Sequence, residues 1–184
     1  MTRHPGRLSL NPAYGQVLIP PGRRILDGMA KVRALGVHCT PKGVFLAIVE
    51  AGAVLDEDPQ RVVVPDGLQT GASLKALSDE LHRRLVEARA THAVLLAPTS
   101  YDSRINPTVA RVGAETLVRA TAAALRLEVD LLHRATARSL LKVGQKGELE
   151  DVIRELIPKP VGRYWTDGRR FAAFAALACE RKVE

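Results

Sequence analysis

The chain has 184 residues, 46% of them hydrophobic and 26% charged. These are the proportions of one globular domain large enough to bury its own core without staples, and not those of a disordered chain. The net charge is +7, of which residues 1–33 carry +5, and no uncharged apolar stretch approaches the ~20 residues of a membrane span. Residues 1–31 hold Pro5, Pro12, Pro20, Pro21, Gly6, Gly15 and Gly22 with no sustained period, and are expected to form an irregular basic leader before a domain at 32–184. Such a leader reads either as an arm that touches nucleic acid or as a solvated tail. Its only apolar cluster is Val17-Leu18-Ile19, so no secretory signal is expected.

Regular structure is expected from residue 32. Residues 34–39 and 44–49 are apolar runs joined by Thr40-Pro41-Lys42-Gly43, which predicts a β-hairpin. A third strand falls within 54–64, strongest at 62–64. The period then changes. Ser73 is placed as the cap of a helix whose apolar residues Leu74, Leu77, Leu81, Leu85 and Ala88 recur every three or four positions. Residues 93–97, ended by Pro98, read as a strand covered on both faces. Next come a helix over 107–126, a fifth strand within 127–132, a short helix near 135–143, a Gly-bearing turn at 144–147 and a helix over 148–157. The last helix is expected over 166–181, with Phe171, Phe174, Ala175 and Ala178 as its buried face. The order predicts an α/β fold: a five-stranded mixed sheet, its first three strands antiparallel, with helices on both faces.

Three features carry a resemblance. They are Leu35-Gly36-Val37-His38-Cys39-Thr40-Pro41-Lys42-Gly43, the stretch from Arg111-Val112-Gly113 to Leu132, and the stretch from Ala137-Arg138 through Gly144 and Gly147 to the helix of Asp167–Cys179. In this order they resemble the RuvC-like Holliday junction resolvases, of RNase H-like fold, over about residues 32–181. The resemblance implies a homodimer, and a nuclease that cuts phosphodiesters with two Mg²⁺ or Mn²⁺ ions. The family's carboxylates come from the first strand, the end of the fourth strand and two positions on the last helix. Here those positions read His38, Leu96 or Ala97, Asp167 and Arg170. Asp167 is the one family carboxylate retained, and His38 stands in place of the first. Hard divalent ions need several converging oxygens, so the expectation is no bound metal cofactor; displaced carboxylates from Glu50 and Asp102 are the alternative.

Each candidate has a plainer reading. Asp167 suits a helix start, where an acid caps and meets the macrodipole. His38 and Cys39 are adjacent on a strand, so they point to opposite faces and are not expected to hold one ion. Cys39 and Cys179 form no disulfide framework or zinc motif, which fits two free thiols in a cytoplasmic protein.

Basic residues gather around Gly144 (Lys142, Lys146) and around Tyr164-Trp165 (Lys159, Arg163, Arg169, Arg170). Cations around an aromatic pair grip phosphates and stack bases, and equally serve as a solvated rim over a core tryptophan. Lys142, Lys146, Arg169, Arg170 and Trp165 are therefore the expected nucleic-acid contacts. The leading expectation is a divergent RuvC-like domain that binds nucleic acid, such as branched DNA, without metal-dependent cleavage. An active Mg²⁺- or Mn²⁺-dependent endonuclease, and a protein-interaction module using the Ala-rich helix of 107–126, are the alternatives.

Overall fold

In the computed structural model, which describes residues 32–57, 60–65, 70–98 and 105–183, the Thr40 hydroxyl accepts hydrogen bonds from the Lys42 and Gly43 amides. This turn starts the sheet. β1 (Arg33–Thr40) pairs antiparallel with β2 (Gly43–Glu50) along its whole length, from Thr40↔Gly43 to Arg33↔Glu50. The expected leader, residues 1–31, lies outside the described residues.

The third strand is two short ones. β3 (Ala53–Val54) pairs with the end of β2, and β4 (Arg61–Val63) pairs with its beginning. The intervening sequence Asp56-Glu57-Asp58-Pro59 supplies charge and a proline, which removes a ladder donor. β5 (His92–Leu96) lies parallel to β1 on its other side, and β6 (Val129–Leu132) lies parallel to β5. The order across the sheet is β3-β2-β1-β5-β6, with β4 beside β2.

α1 (Gly71–Ala88) begins three residues earlier than a Ser73 cap requires. Thr70 is the cap: its hydroxyl accepts from the Ser73 amide at 3.1 Å while Ser73 Oγ accepts from the Thr70 amide, so Ser73 is the reciprocal partner in a capping box. Leu77, Leu81, Leu85 and Ala88 are buried as the period predicts. α1 and α2 (Ile105–Ala124) cover one face of the sheet, where Leu81, Val118 and Ala122 meet Leu35, Val37, Cys39 and Leu46. α3 (Arg134–Leu140), α4 (Leu149–Leu156) and α5 (Arg170–Val183) cover the other face. Among the described residues no helix is long and apolar enough to cross a membrane.

α5 departs from its expected form in two ways. It starts at Arg170 instead of Thr166, because a wide turn of π-helical type, Trp165–Arg169, precedes it. Gly168 breaks the helix there at φ +153, its backbone so close to Phe45 that a Cβ would sit 2.7 Å from the ring. Nor is its buried face a stripe. Ala172 to Ala176 and Ala178 to Glu180 are all buried, because the helix lies over the centre of the sheet with loops packed at its flanks. Glu180 is 2% exposed, and its carboxylate accepts from the Gly52 amide at 2.9 Å in the β2–β3 turn. Small side chains allow this approach: a Cβ on Gly36 would lie 1.9 Å from the Ala172 carbonyl oxygen.

Candidate functional site

The strand registers set one row of side chains across the sheet. Arg61 of β4 pairs with Phe45 of β2, and Phe45 pairs with His38 of β1. Val37 pairs with Leu95 and Leu95 with Leu131, so the next step of the row is His38, Leu96 and Leu132. Paired residues share a face, and Phe45, Leu96 and Leu132 all lie on the α5 side. Leu96, not Ala97, is thus the fourth-strand residue beside His38. The row sits at the carboxyl ends of the parallel strands β1, β5 and β6, where sheets of this type gather their ligands.

Phe171, at the start of α5, closes over this row. Its ring centroid is 5.1 Å from that of His38, with Arg170 Cζ 5.0 Å and Arg134 Cζ 5.5 Å away, both guanidinium groups stacked on the ring. On the other side of His38, the Arg61 guanidinium lies between Phe45 at 5.7 Å and Tyr164 at 5.3 Å. The neighbourhood is strongly cationic: Arg61, Arg111, Arg134, Arg138 and Arg170 gather there, with Glu115 paired to Arg111 and Glu150 to Arg170 among the described residues. Burial first, and the nearby Arg138 second, hold the Arg134 guanidinium below its usual pKa.

His38 feels the same field. Burial, then Arg134 on α3, then Arg111 on α2, push its pKa down to about 4. A free imidazole titrates near 6.5. Between about pH 4 and 6.5 the unfolded chain therefore binds the extra proton, so stability is complete above that window and is lost as the pH falls through it. The loss at this group approaches about 3 kcal/mol. Urea unfolding followed from pH 7 to pH 4 is expected to show a shallower fall in stability for His38→Gln than for the wild type. An equal slope in the two proteins would move the titration to another group.

The other expected contacts divide. Lys142 and Lys146 are exposed on a loop held from within by Arg138, whose guanidinium donates to the carbonyls of Gly144, Lys146 and Gly147 at 2.8–3.0 Å. That loop runs directly into the first turn of α4, where Glu150 meets Arg170. Arg170 is in the cluster just described. Arg169 is not a surface contact: it is 0% exposed, donating to the carbonyls of Val161 and Leu55 and lying 3.8 Å from Asp56. Its guanidinium ties the loop after β3 to the loop before α5, so it has no face for phosphate. Trp165 is half-buried against the core beside Ala172 and Ile157, while Tyr164, 40% exposed, is the aromatic open to solvent.

The carboxylates stay apart. Asp167 is exposed on the wide turn, 3.5 Å from the Thr166 hydroxyl. Glu50, at the opposite end of the sheet from the Phe171 cluster, pairs with Arg33 at 3.1 Å. Asp102 lies outside the described residues. Cys39 points to the α1–α2 face, away from His38, and burial pushes both its thiol and that of Cys179 up. Among the described residues no three His, Cys, Asp or Glu side chains converge. The pair of divalent ions that the resemblance implies does not fit what is present. Beside His38 stand Leu96 and three guanidinium groups, and like charge at such distances repels a metal ion.

Arg134 and Arg61 escape sequence reading because they are distant from His38 in the chain. The available signal is position: Arg134 follows directly on the carboxyl end of β6.

No protein-family model matches the chain, and no curated protein matches it. Solved structures do. Thermus thermophilus RuvC in complex with Holliday junction substrate aligns with TM-score 0.59 and 18% identity over 80% of this chain and 92% of that one. A second Thermus thermophilus RuvC structure gives 0.59 and 16% over 83% and 95%. The yeast mitochondrial Holliday junction resolvase Ydc2 gives 0.55 and 14% over 82% and 78%. The chain thus has the RuvC-like fold, with its mixed sheet and flanking helices.

Proposed function

We propose that this chain is a divergent RuvC-like domain that binds nucleic acid, branched DNA first among the candidates, and does not cut it with metal ions. One observation carries the reading. At the carboxyl ends of the parallel strands, the row that would need carboxylates holds His38 and Leu96, with Arg61, Arg134 and Arg170 around it. A site of that charge attracts phosphate and repels divalent cations. The likeness in fold to RuvC bound to a Holliday junction substrate supports the choice of a branched ligand. A homodimer is proposed with it, since a four-way junction offers two-fold symmetry to a symmetric pair. The free, buried thiols agree with a reducing cytoplasm.

Anisotropy with a labelled four-way junction, a duplex and a single strand tests this. Binding is expected at ~50 mM salt, weakening on a log–log plot in proportion to the phosphates neutralised. Reversing Lys142, Lys146 and Arg170 to Glu should flatten that slope by about one for each phosphate no longer neutralised, and favour no base sequence. An absence of binding to all three ligands at ~50 mM salt would overturn the reading in favour of a protein-interaction module.

A further inference from the structure

We infer that the cluster of His38, Arg134 and Arg170 around the ring of Phe171 holds a phosphate group directly, with guanidinium groups in place of metal-binding carboxylates. The inference rests on the nucleic-acid reading for the source of the phosphate, a strand's backbone, but the site stands on its own geometry.

The charge balance favours an anion. Arg134 stacks on Phe171 and has no carboxylate partner among the described residues, while Arg138 on the same helix adds to its positive field. A partly desolvated cation without a counter-ion is costly, and an anion in contact offsets that cost. Glu150 engages Arg170 and Glu115 engages Arg111, so the carboxylates nearby are already committed. An outside anion meets this need.

The chemistry of the donors narrows the class. Arg134 Nε is closed off from solvent without a hydrogen-bond partner, which fixes the guanidinium plane and leaves its Nη groups as the outward donors. His38 Nδ1 is likewise closed off and lacks a partner, while the residue as a whole is only partly buried. Planar forks held in place by an aromatic ring suit a multi-oxygen anion, and phosphate offers tetrahedral oxygens to several donors at once. A carboxylate ligand would use the Arg134 fork alone, whereas a phosphate has further oxygens for the imidazole and for Arg170 beside its Glu150 partner. Burial, Arg134 and Arg111 hold the imidazole neutral, and an anion in contact offsets part of that field.

The full chain with ¹⁵N-labelled histidine tests this, at constant ionic strength, with chloride replaced by inorganic phosphate in one arm and by a short single-stranded oligonucleotide in the other. Both are expected to shift the His38 ring resonances and to raise its titration midpoint by about 1–3 pH units, the effect of an opposite charge at contact. Arg134→Gln should abolish both responses. Arg134→Lys, which keeps charge and loses the fork, should weaken them several-fold and serves if the first variant does not fold. A response to phosphate alone still supports the site and assigns it to a free anion. Silence of His38 in both arms overturns it, even where a junction binds elsewhere on the surface, in which case the functional reading above stands alone.

Discussion

Replacing Gly36 by alanine is expected to cost about 3 kcal/mol or more, the upper end of what overpacking a core costs. The added Cβ would lie 1.9 Å from the Ala172 carbonyl oxygen, 2.6 Å from the Ala176 amide nitrogen and 2.9 Å from the Ala172 carbonyl carbon. All three are backbone atoms of α5, so no rotamer change relieves the clash. The helix must lift from β1, and with it goes the packing of Phe174 and Ala175 on Val94 and Leu96. A domain holds only about 5–15 kcal/mol in total, so this one methyl consumes a large share. Gly71→Ala is the control: nothing lies within 4 Å of its added Cβ at the start of α1, and alanine there should be neutral or slightly stabilising. The urea midpoint, read at unchanged slope, measures both. A Gly36→Ala midpoint within error of the wild type would mean that α5 does not press on β1 as described.

Arg169→Ala is expected to be comparably damaging, by about 3 kcal/mol or more, since each carbonyl left without its donor costs about 1–3 kcal/mol. Among the described residues Arg169 is the largest fully buried side chain, and its guanidinium donates to carbonyls from two separate loops, Leu55 and Val161. Removal leaves those carbonyls without a donor and opens a void beside Gly162. Arg169→Lys should rescue little, because an ammonium cannot span both loops as the fork does. The effect appears in unfolding and not in binding alone: a folded Arg169→Glu protein with wild-type stability and abolished nucleic-acid affinity would contradict this placement.

Local chemistry makes much of the fold legible. Thr40-Pro41-Lys42-Gly43 encodes its own turn, and the Leu77–Ala88 repeat encodes the buried face of α1. Gly36-Val37-His38 marks the strand and the residue at the centre of the site. The cap of α1 falls one turn from its expected place because Thr70 and Ser73 are both good caps and only geometry separates their roles. The division of the third strand depends on how β2 is shared between β3 and β4, which no local signal reports.

The site is less legible for a reason of register. Arg61, Phe45, His38 and Leu96 become neighbours only once four strands are aligned, and Arg134 joins them only when Phe171 folds over the row. In sequence Arg169 looks like its neighbour Arg170, a cation beside aromatics. Burial separates the two: one turns inward onto carbonyls, the other stacks at the open edge.

Incubating the purified 184-residue chain with a four-way junction, in EDTA and in Mg²⁺ or Mn²⁺, tests the central claim most directly. Binding in EDTA that neither metal ion strengthens, and no cleavage product, are expected, because on the proposed reading the cationic row around His38 meets phosphate without a metal. Metal-dependent cleavage that disappears in Asp167→Asn would contradict it. The site would then have to assemble from Asp167 with carboxylates such as Glu50 and Asp102.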